Sequence, residues 1–367
     1  MLSLSRRPDA AVSVTLHRPD ALPPKLHRAW ADAAAAQGAA LPYCGPDYVG
    51  AVLAAYHADP ATRVLAAWRG DTLAGLLPLV ARGHRRLGLP LREMGLPRNP
   101  NTINSDPLAG PPGPARSEVL AALLRAGFAA GAETLMLDHL PAGLGSAFAD
   151  AAATLGAGTD PVTPSRHLHY ARLDGGWDGY LATRSGNHRW QIRKALKGAG
   201  ALQVQRLDRR AALRDALDDW FAVEARSWQG TAGAGAAMTA ADRGFHRSLV
   251  ETLPDAALGE LWLVRDATGR ALAALRMLAG PRGRSVHTMH FDAAARAAAP
   301  GLLAFAAMMR AAAEDALPEV DFHGRTAFFE RWATGARAHE SLRIYRPGPK
   351  GALARHGRLV LRRLVTR

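Results

Sequence analysis

The sequence predicts an α/β protein built from two sheet-and-helix units. Three observations carry that expectation. The chain has 367 residues, more than a single ordinary domain core requires. Its hydrophobic fraction is 48%, enough to bury a full core and to argue against wholesale disorder. Finally, each half of the chain runs in the order helix, hairpin, helix, strand, which reads as an internal duplication although the halves share no alignable repeat.

Residues 1–40 read as a leader strand and helix. The first unit then covers 41–172. Tyr48 to His57 has helical spacing, and Arg63 to Trp68 alternates as a strand. Arg69-Gly70-Asp71 supplies the turn into a returning strand, Leu73 to Val80. Pro97 to Pro114 holds six prolines and must be an extended loop. Ser117 is expected to cap a helix that ends near Gly131, and Thr134 to Leu140 reads as a strand.

The second unit covers 173–345. Tyr180 to Ala199 reads as one basic helix and Ala211 to Ser227 as one amphipathic helix. Gly230 to Gly235 is a glycine-rich loop, and Asp242 to Leu253 a third helix. Three strands follow: Glu260 to Arg265, Leu272 to Leu278 and Ser285 to Phe291. Pro300-Gly301 opens the long helix Leu302 to Ala313, and Glu319 to His323 is a strand ahead of the aromatic run Phe328 to Trp332. Residues 346–367 form a basic tail. From Arg343 to Arg367 there are eight Lys or Arg and no Asp or Glu, interleaved with Leu359, Leu361, Leu364 and Val365. On a helix that pattern suits the surface of an anionic membrane, and equally a solvated basic tail; with Tyr345 its one aromatic, nucleic acid is not the expected partner.

Composition narrows the function classes. The single cysteine, Cys44, excludes an intrachain disulfide framework and a thiolate zinc site, and fits a reducing cytoplasm. No apolar run is long enough for a membrane-spanning helix. Met1 to Arg7 carries charge with no apolar segment behind it, so no secretory signal is expected. A formal net charge of +14 suits an anionic partner: nucleic acid, a membrane surface or a phosphorylated cosubstrate.

The chemistry concentrates in the second unit. Phe291-Asp292, a short loop and Pro300-Gly301-Leu302-Leu303 deliver a strand onto a helix N-terminus. Free backbone N–H groups and the positive end of the helix dipole make such a junction suited to a pyrophosphate. Proline in the first turn costs no hydrogen bond, and glycine permits close approach. The same residues also suit a plain strand-to-helix connection. Glu224 to Gly230 joins two charges, an indole and a glycine at a helix end, so Trp228 reads either as an acceptor-pocket wall or as a core residue beside a glycine cap. Glu224 reads as a carboxylate that orients an amine. His287, His290 and His323 invite a metal, but on a regular strand 287 and 290 face opposite ways, so no metal is expected. Asp321, and behind it Glu224 and His290, are the candidate catalytic groups, because an amine nucleophile must lose a proton around its attack.

Four ordered motifs carry a family resemblance. Glu224-Ala225-Arg226-Ser227-Trp228-Gln229-Gly230 is similar to the E-A-R-S-W-K-G segment of the CelD/BcsL-type, BioF-like acetyltransferase domain of the GNAT superfamily. Ser185 to Lys194 resembles its S-x-x-x-R-x-x-x-R-R helix. Phe291-Asp292 with Pro300-Gly301-Leu302-Leu303 resembles Y-D-x(n)-S-P-G-x-L-L, and Asp321-Phe322-His323-Gly324 with Phe329-Glu330-Arg331-Trp332 resembles D-F-x-x-G…Y-K-x-R-W. Gln229, Ala299 and Glu330 depart from the pattern, and the superfamily's Q/R-x-x-G-x-G/A phosphate loop is absent.

The resemblance implies two tandem GNAT-like domains with mixed sheets flanked by helices. It implies acyl-CoA, acetyl-CoA foremost, as cosubstrate, with Phe291, Asp292, Pro300, Gly301 and Leu302 at the cofactor. It places Trp228, Arg189 and Arg331 at the acceptor, an amine of amino-sugar, lipid-linked or exopolysaccharide metabolism. Three alternatives stay open: a Fem-type aminoacyltransferase using charged tRNA, a lipid-amine acyltransferase at a membrane surface, and a non-catalytic scaffold of envelope assembly.

Overall fold

The computed structural model describes residues 11–37, 42–86, 89–99, 106–227 and 238–356. Its strands are β1 (Val12–His17), β2 (Arg63–Arg69), β3 (Thr72–Arg86), β4 (Leu89–Gly95), β5 (Thr134–Pro141), β6 (Gly158–Thr159), β7 (Thr163–Arg172), β8 (Gln203–Leu207), β9 (Glu260–Arg265), β10 (Ala271–Gly280), β11 (Gly283–Phe291), β12 (Glu319–Asp321) and β13 (Gly335–Tyr345). They form one mixed sheet in the order β1-β2-β3-β4-β5-β13-β7-β12-β11-β10-β9-β8, with β6 on β13.

The two ends of that sheet repeat one plan. β1 to β4 are antiparallel neighbours, and the helix Pro114–Ala129 then crosses over to place β5 parallel to β4. β8 to β11 repeat the antiparallel run, and the helix Pro300–Glu314 crosses over to place β12 parallel to β11. The fold is therefore the mixed α/β arrangement expected, and the leader strand is an edge strand of the first sheet half.

The middle of the sheet was not visible in the sequence. β13, from the chain's end, pairs with β5 of the first half, while β7, from the first half, pairs with β12 of the second. β13 and β7 then pair with each other. The halves thus exchange strands across the expected boundary at 172 and 173. Arg343, read as the start of the tail, belongs to β13 instead, where it is buried and ion-paired with Glu93 at 2.8 Å.

Helices cover both faces. The Pro114 helix packs Leu120, Leu123 and Phe128 against Leu65, Leu77 and Leu135, and on the opposite face Trp30 and Leu26 of the helix Pro24–Gln37 cover Val64 and Ala66. In the second half the Pro300 helix buries Phe305 and Met309 against Ala273, Leu275 and Val286. Behind it, Trp220 and Phe245 pack with Leu261, Leu263 and Ala274, and this core also takes Tyr48 and Val52 from the first-half helix Pro46–Tyr56. β9 and β10 are buried along almost their whole length, which is why they read as continuous apolar runs.

Several helix boundaries differ from expectation. The basic helix is two, Gly176–Ala182 and Gly186–Lys197, because Ser185 takes extended backbone and caps the second by accepting from the His188 N–H. The amphipathic helix is also two, Arg210–Asp215 and Leu217–Ala225. Gly113, not Ser117, precedes the Pro114 helix, since proline suits its first position. The 230–235 loop, most of the 97–114 loop's first part and the tail beyond 356 lie outside the described residues.

Candidate active site

β11 and β12 pair only from Gly283↔Glu319 to Ser285↔Asp321 and then part. The chain beyond Asp321 stays with β7, since Phe322 N–H donates to His169 O and His169 N–H donates to Gly324 O. A gap therefore opens between Val286–Phe291 and Phe322–Gly324, and a cavity of about 980 Å³ occupies it. A smaller one, about 350 Å³, lies at the paired end, lined by Tyr43, Asp106, Ser285, Asp321, Arg337 and His339 among others. Leu168 and His323 line both.

The N-terminus of the Pro300 helix faces the larger cavity through Ala299, Gly301 and Leu302. No side chain caps it, so its first N–H groups are available to a ligand. Ala299 holds the left-handed region at φ +48 and turns the chain into the helix. A Cβ on Gly301 would come within 3.1 Å of the Phe291 ring, so glycine lets the helix start lie against β11. Four arginines, Arg166, Arg296, Arg325 and Arg331, line the same cavity. Phe291, Gly301 and Leu302 are thus brought to one site, while Pro300 is buried and does not line it. Asp292 is occupied otherwise: it caps the 3-10 turn Ala293–Ala298 and is ion-paired with Arg226 at 2.8 Å and with Arg270. Such a carboxylate anchors the loop rather than contacting a phosphate.

The three candidate catalytic groups are not brought together. Asp321 lines the smaller cavity, where its Oδ1 accepts from the His323 N–H at 2.7 Å and its Oδ2 from Arg337 at 3.3 Å. Burial raises its pKa, against the lowering effect of that hydrogen bond and of Arg337. Glu224 is buried at its helix end and accepts the Met238 N–H at 3.0 Å. His290 lines neither cavity, and burial pushes its pKa down to about 4. Of the acceptor candidates, Arg331 lines the larger cavity and donates to Gln191 at 3.2 Å. Arg189 is not among the residues lining either cavity, and Trp228 lies outside the described residues.

One expectation needs correcting. Arg276 pairs with Thr288 and Met277 with Val286, so His287 is the extra residue of a β-bulge. The bulge shifts the alternation, and His287 and His290 both come close enough to His246 to interact with it electrostatically. The rings of His246 and His287 are 5.2 Å apart. Even so, among the described residues no group of three or more His, Cys, Asp or Glu is placed to hold a metal ion.

His323 was missed as a site residue. It follows β12 in the left-handed region at φ +51, is 5% exposed, and stands edge-on to Tyr43 with ring centroids 4.1 Å apart. Tyr43 and Asp106 come from the first half, so no local signal in the second unit points to them.

These observations converge with the comparisons. Residues 183–345 match the Acetyltransferase (GNAT) domain family. The matched segment contains the β11–β12 gap and the Pro300 helix. No curated protein matches the chain in sequence. Among solved structures, the chain is similar in fold to the C-terminal domain of a putative lysylphosphatidylglycerol synthetase from Agrobacterium fabrum (TM-score 0.55, 13% identity, 91% of this chain and 96% of that one). It is similar likewise to L-PGS from Bacillus licheniformis (0.56, 12%, 93% and 96%) and to FemX (0.52, 15%, 86% and 90%). The match over residues 183–345 supports an acyltransferase-type enzyme.

Proposed function

We propose that the protein transfers an acyl group from acyl-CoA, acetyl-CoA foremost, to a primary amine. The observation that carries this is the uncapped start of the Pro300 helix, opening on a cavity of about 980 Å³ lined by four arginines. Backbone N–H groups of the helix start would hold the pyrophosphate, and Arg166, Arg296, Arg325 and Arg331 surround it with positive charge. The thioester would then lie in the gap beside the bulged β11, where backbone N–H groups polarise its carbonyl. The amine arrives from the smaller cavity and meets the thioester at His323. Asp321, its pKa raised by burial, takes the proton that the attacking nitrogen sheds. The transfer is direct, without a covalent enzyme intermediate.

The kinship with CelD/BcsL-type, BioF-like acetyltransferases belongs to this proposal. So does the division into domains at 41–172 and 173–345, and so does an acceptor that is an amino sugar or a lipid-linked amine. No helix of the described residues is long and apolar enough to cross a membrane. Contact with an anionic membrane through the basic tail, helical over the described residues 349–356, would be peripheral.

A second reading, aminoacyl transfer from charged tRNA, is favoured by one observation. The Gly186–Lys197 helix exposes Trp190 (58%) together with Arg193, Lys194 and Lys197, and its Gln191 meets Arg331 at the cavity. An exposed aromatic among cations suits single-stranded nucleic acid. Equilibrium binding of acetyl-CoA and of a charged tRNA to the full chain separates the two. Saturable acetyl-CoA binding, with tRNA binding weak and lost in moderate salt, is the expected outcome; the reverse would establish the second reading.

A further inference from the structure

The smaller cavity is a composite of both halves. Tyr43 and Asp106 reach it from the first half, Ser285, Asp321 and His323 from the GNAT domain, and Arg337 and His339 from the exchanged strand β13. Two contacts fix the first-half residues there. The Tyr43 hydroxyl is hydrogen-bonded to Ser285 Oγ at 2.8 Å. Two residues past Asp106, Leu108 bridges to Leu76 of β3, each donating its N–H to the other's carbonyl at 2.8 and 2.9 Å.

Three carboxylates line this cavity, and they differ in one respect. Glu319 and Asp321 both accept from Arg337, and Glu319 has Arg282 at 4.0 Å as well. Asp106 Oδ1 is buried and accepts no hydrogen bond. A buried carboxylate oxygen with no donor is costly to the empty protein, and a bound cation removes that cost. Burial accordingly pushes the Asp106 carboxyl up to about 7, with Arg282 opposing. A metal does not fit the role, because no metal-holding group of side chains exists among the described residues. The same space holds a second buried polar atom without a partner. His323 Nε2 is buried without a partner, and burial lowers its pKa to about 3, which keeps the imidazole neutral. The unmet Asp106 Oδ1, with the His323 Nε2 beside it accepting in one of its two tautomers, is complementary to a group with several N–H bonds and a positive charge.

We propose that the smaller cavity takes its acceptor as an ammonium ion and that Asp106 recognises it. The inference rests on the acyl-transfer reading and names the class of acceptor: a small primary amine, of a size that about 350 Å³ admits, charged in solution. Proton balance follows from the arrangement. The ammonium gives one proton to Asp106, and the freed lone pair attacks the thioester carbonyl. The C–N bond forms, the C–S bond breaks, and the second proton passes through Asp321 to the departing thiolate. R–NH3⁺ and acyl–S–CoA thus give the amide, CoA–SH and one proton, which Asp106 returns to solvent.

Ligand-observed NMR on the full chain tests this with 2-phenylethylamine and its uncharged isostere 2-phenylethanol as probes. The amine should bind at least tenfold more tightly than the alcohol, and Asp106→Asn should abolish that preference without lowering the melting temperature. Equal binding of the two probes, or an Asp106→Asn protein that keeps the preference, overturns the proposal. Should Asp106→Asn fail to fold, the amine-against-alcohol comparison on the wild-type protein still decides. CoA binding by the wild-type protein, measured in the same sample, reports separately on the donor reading, so either can fail while the other stands.

Discussion

At the scale of single residues, the site depends on groups held away from their ordinary protonation. Asp321 is the proton acceptor in this account, and Asp321→Asn keeps its shape and its hydrogen bond from the His323 N–H. Turnover should fall by about a hundredfold, the usual scale for losing a general base. If Asp321 serves only to tie down Arg337, the Asn variant will instead lose melting temperature and keep its turnover. The buried histidines give a pH signature. Burial lowers His188 and His290 to about 4 and His246 and His323 to about 3, and lowers His287 well below its ordinary value. Each stays neutral in the folded chain while the unfolded chain takes up a proton near pH 6.5. Their stabilisation is therefore present above pH 6.5 and lost as pH falls toward 4. Asp106 and Asp321, both raised, act in the opposite sense but are fewer. Thermal melts between pH 7 and pH 5 should show a falling melting temperature, with a shallower slope in His246→Phe, whose ring would still pack on Trp220. A melting temperature flat across that interval contradicts the burial of these imidazoles.

At the scale of elements, the junction from β11 into the Pro300 helix is where the proposed donor would sit. Its sequence was informative: proline and glycine at a helix start, small residues before them, and a strand ahead. What periodicity does not encode is the parting of β11 from β12, which stops their pairing after Ser285↔Asp321 and makes the cavity. The bulge at His287 was equally hidden, because an inserted residue leaves hydrophobic spacing almost unchanged. Gly301→Glu puts a side chain against Phe291 and a negative charge at the helix start. CoA affinity should drop at least tenfold, about 1.4 kcal/mol. Calorimetric titration of a folded Gly301→Glu protein that binds CoA as the wild type does would remove the pyrophosphate from this helix. β9 and β10 were legible to within a residue or two, since burial on both faces leaves near-continuous apolar runs. β7 and β13 were not. They carry His167, His169, Arg337, His339 and Glu340 among their apolar residues, and their pairing across the halves depends on tertiary contacts.

At the scale of the whole molecule, the repeated order of elements recurs in the strand plan of the two sheet ends, but the two units are not beads on a string. Exchange of β7 and β13 and the packing of Tyr48 on Phe245 join them into one sheet and one shared core. That is why half of the candidate site escaped sequence reading. The segment 183–345 lines the larger cavity by itself apart from Ser165, Arg166, His167 and Leu168, whereas the smaller cavity needs Tyr43 and Asp106 from residues more than 200 positions earlier than Asp321. Motifs in the second unit could point to Asp321, Gly301 and Arg331, but not to their partners. Whether this joined molecule is an acyl-CoA enzyme is decided by equilibrium dialysis of the 367-residue chain against radiolabelled acetyl-CoA. One saturable site per chain, lost in Gly301→Glu, is expected. Absence of saturable binding by the wild-type protein, or binding that Gly301→Glu leaves unchanged, would contradict it.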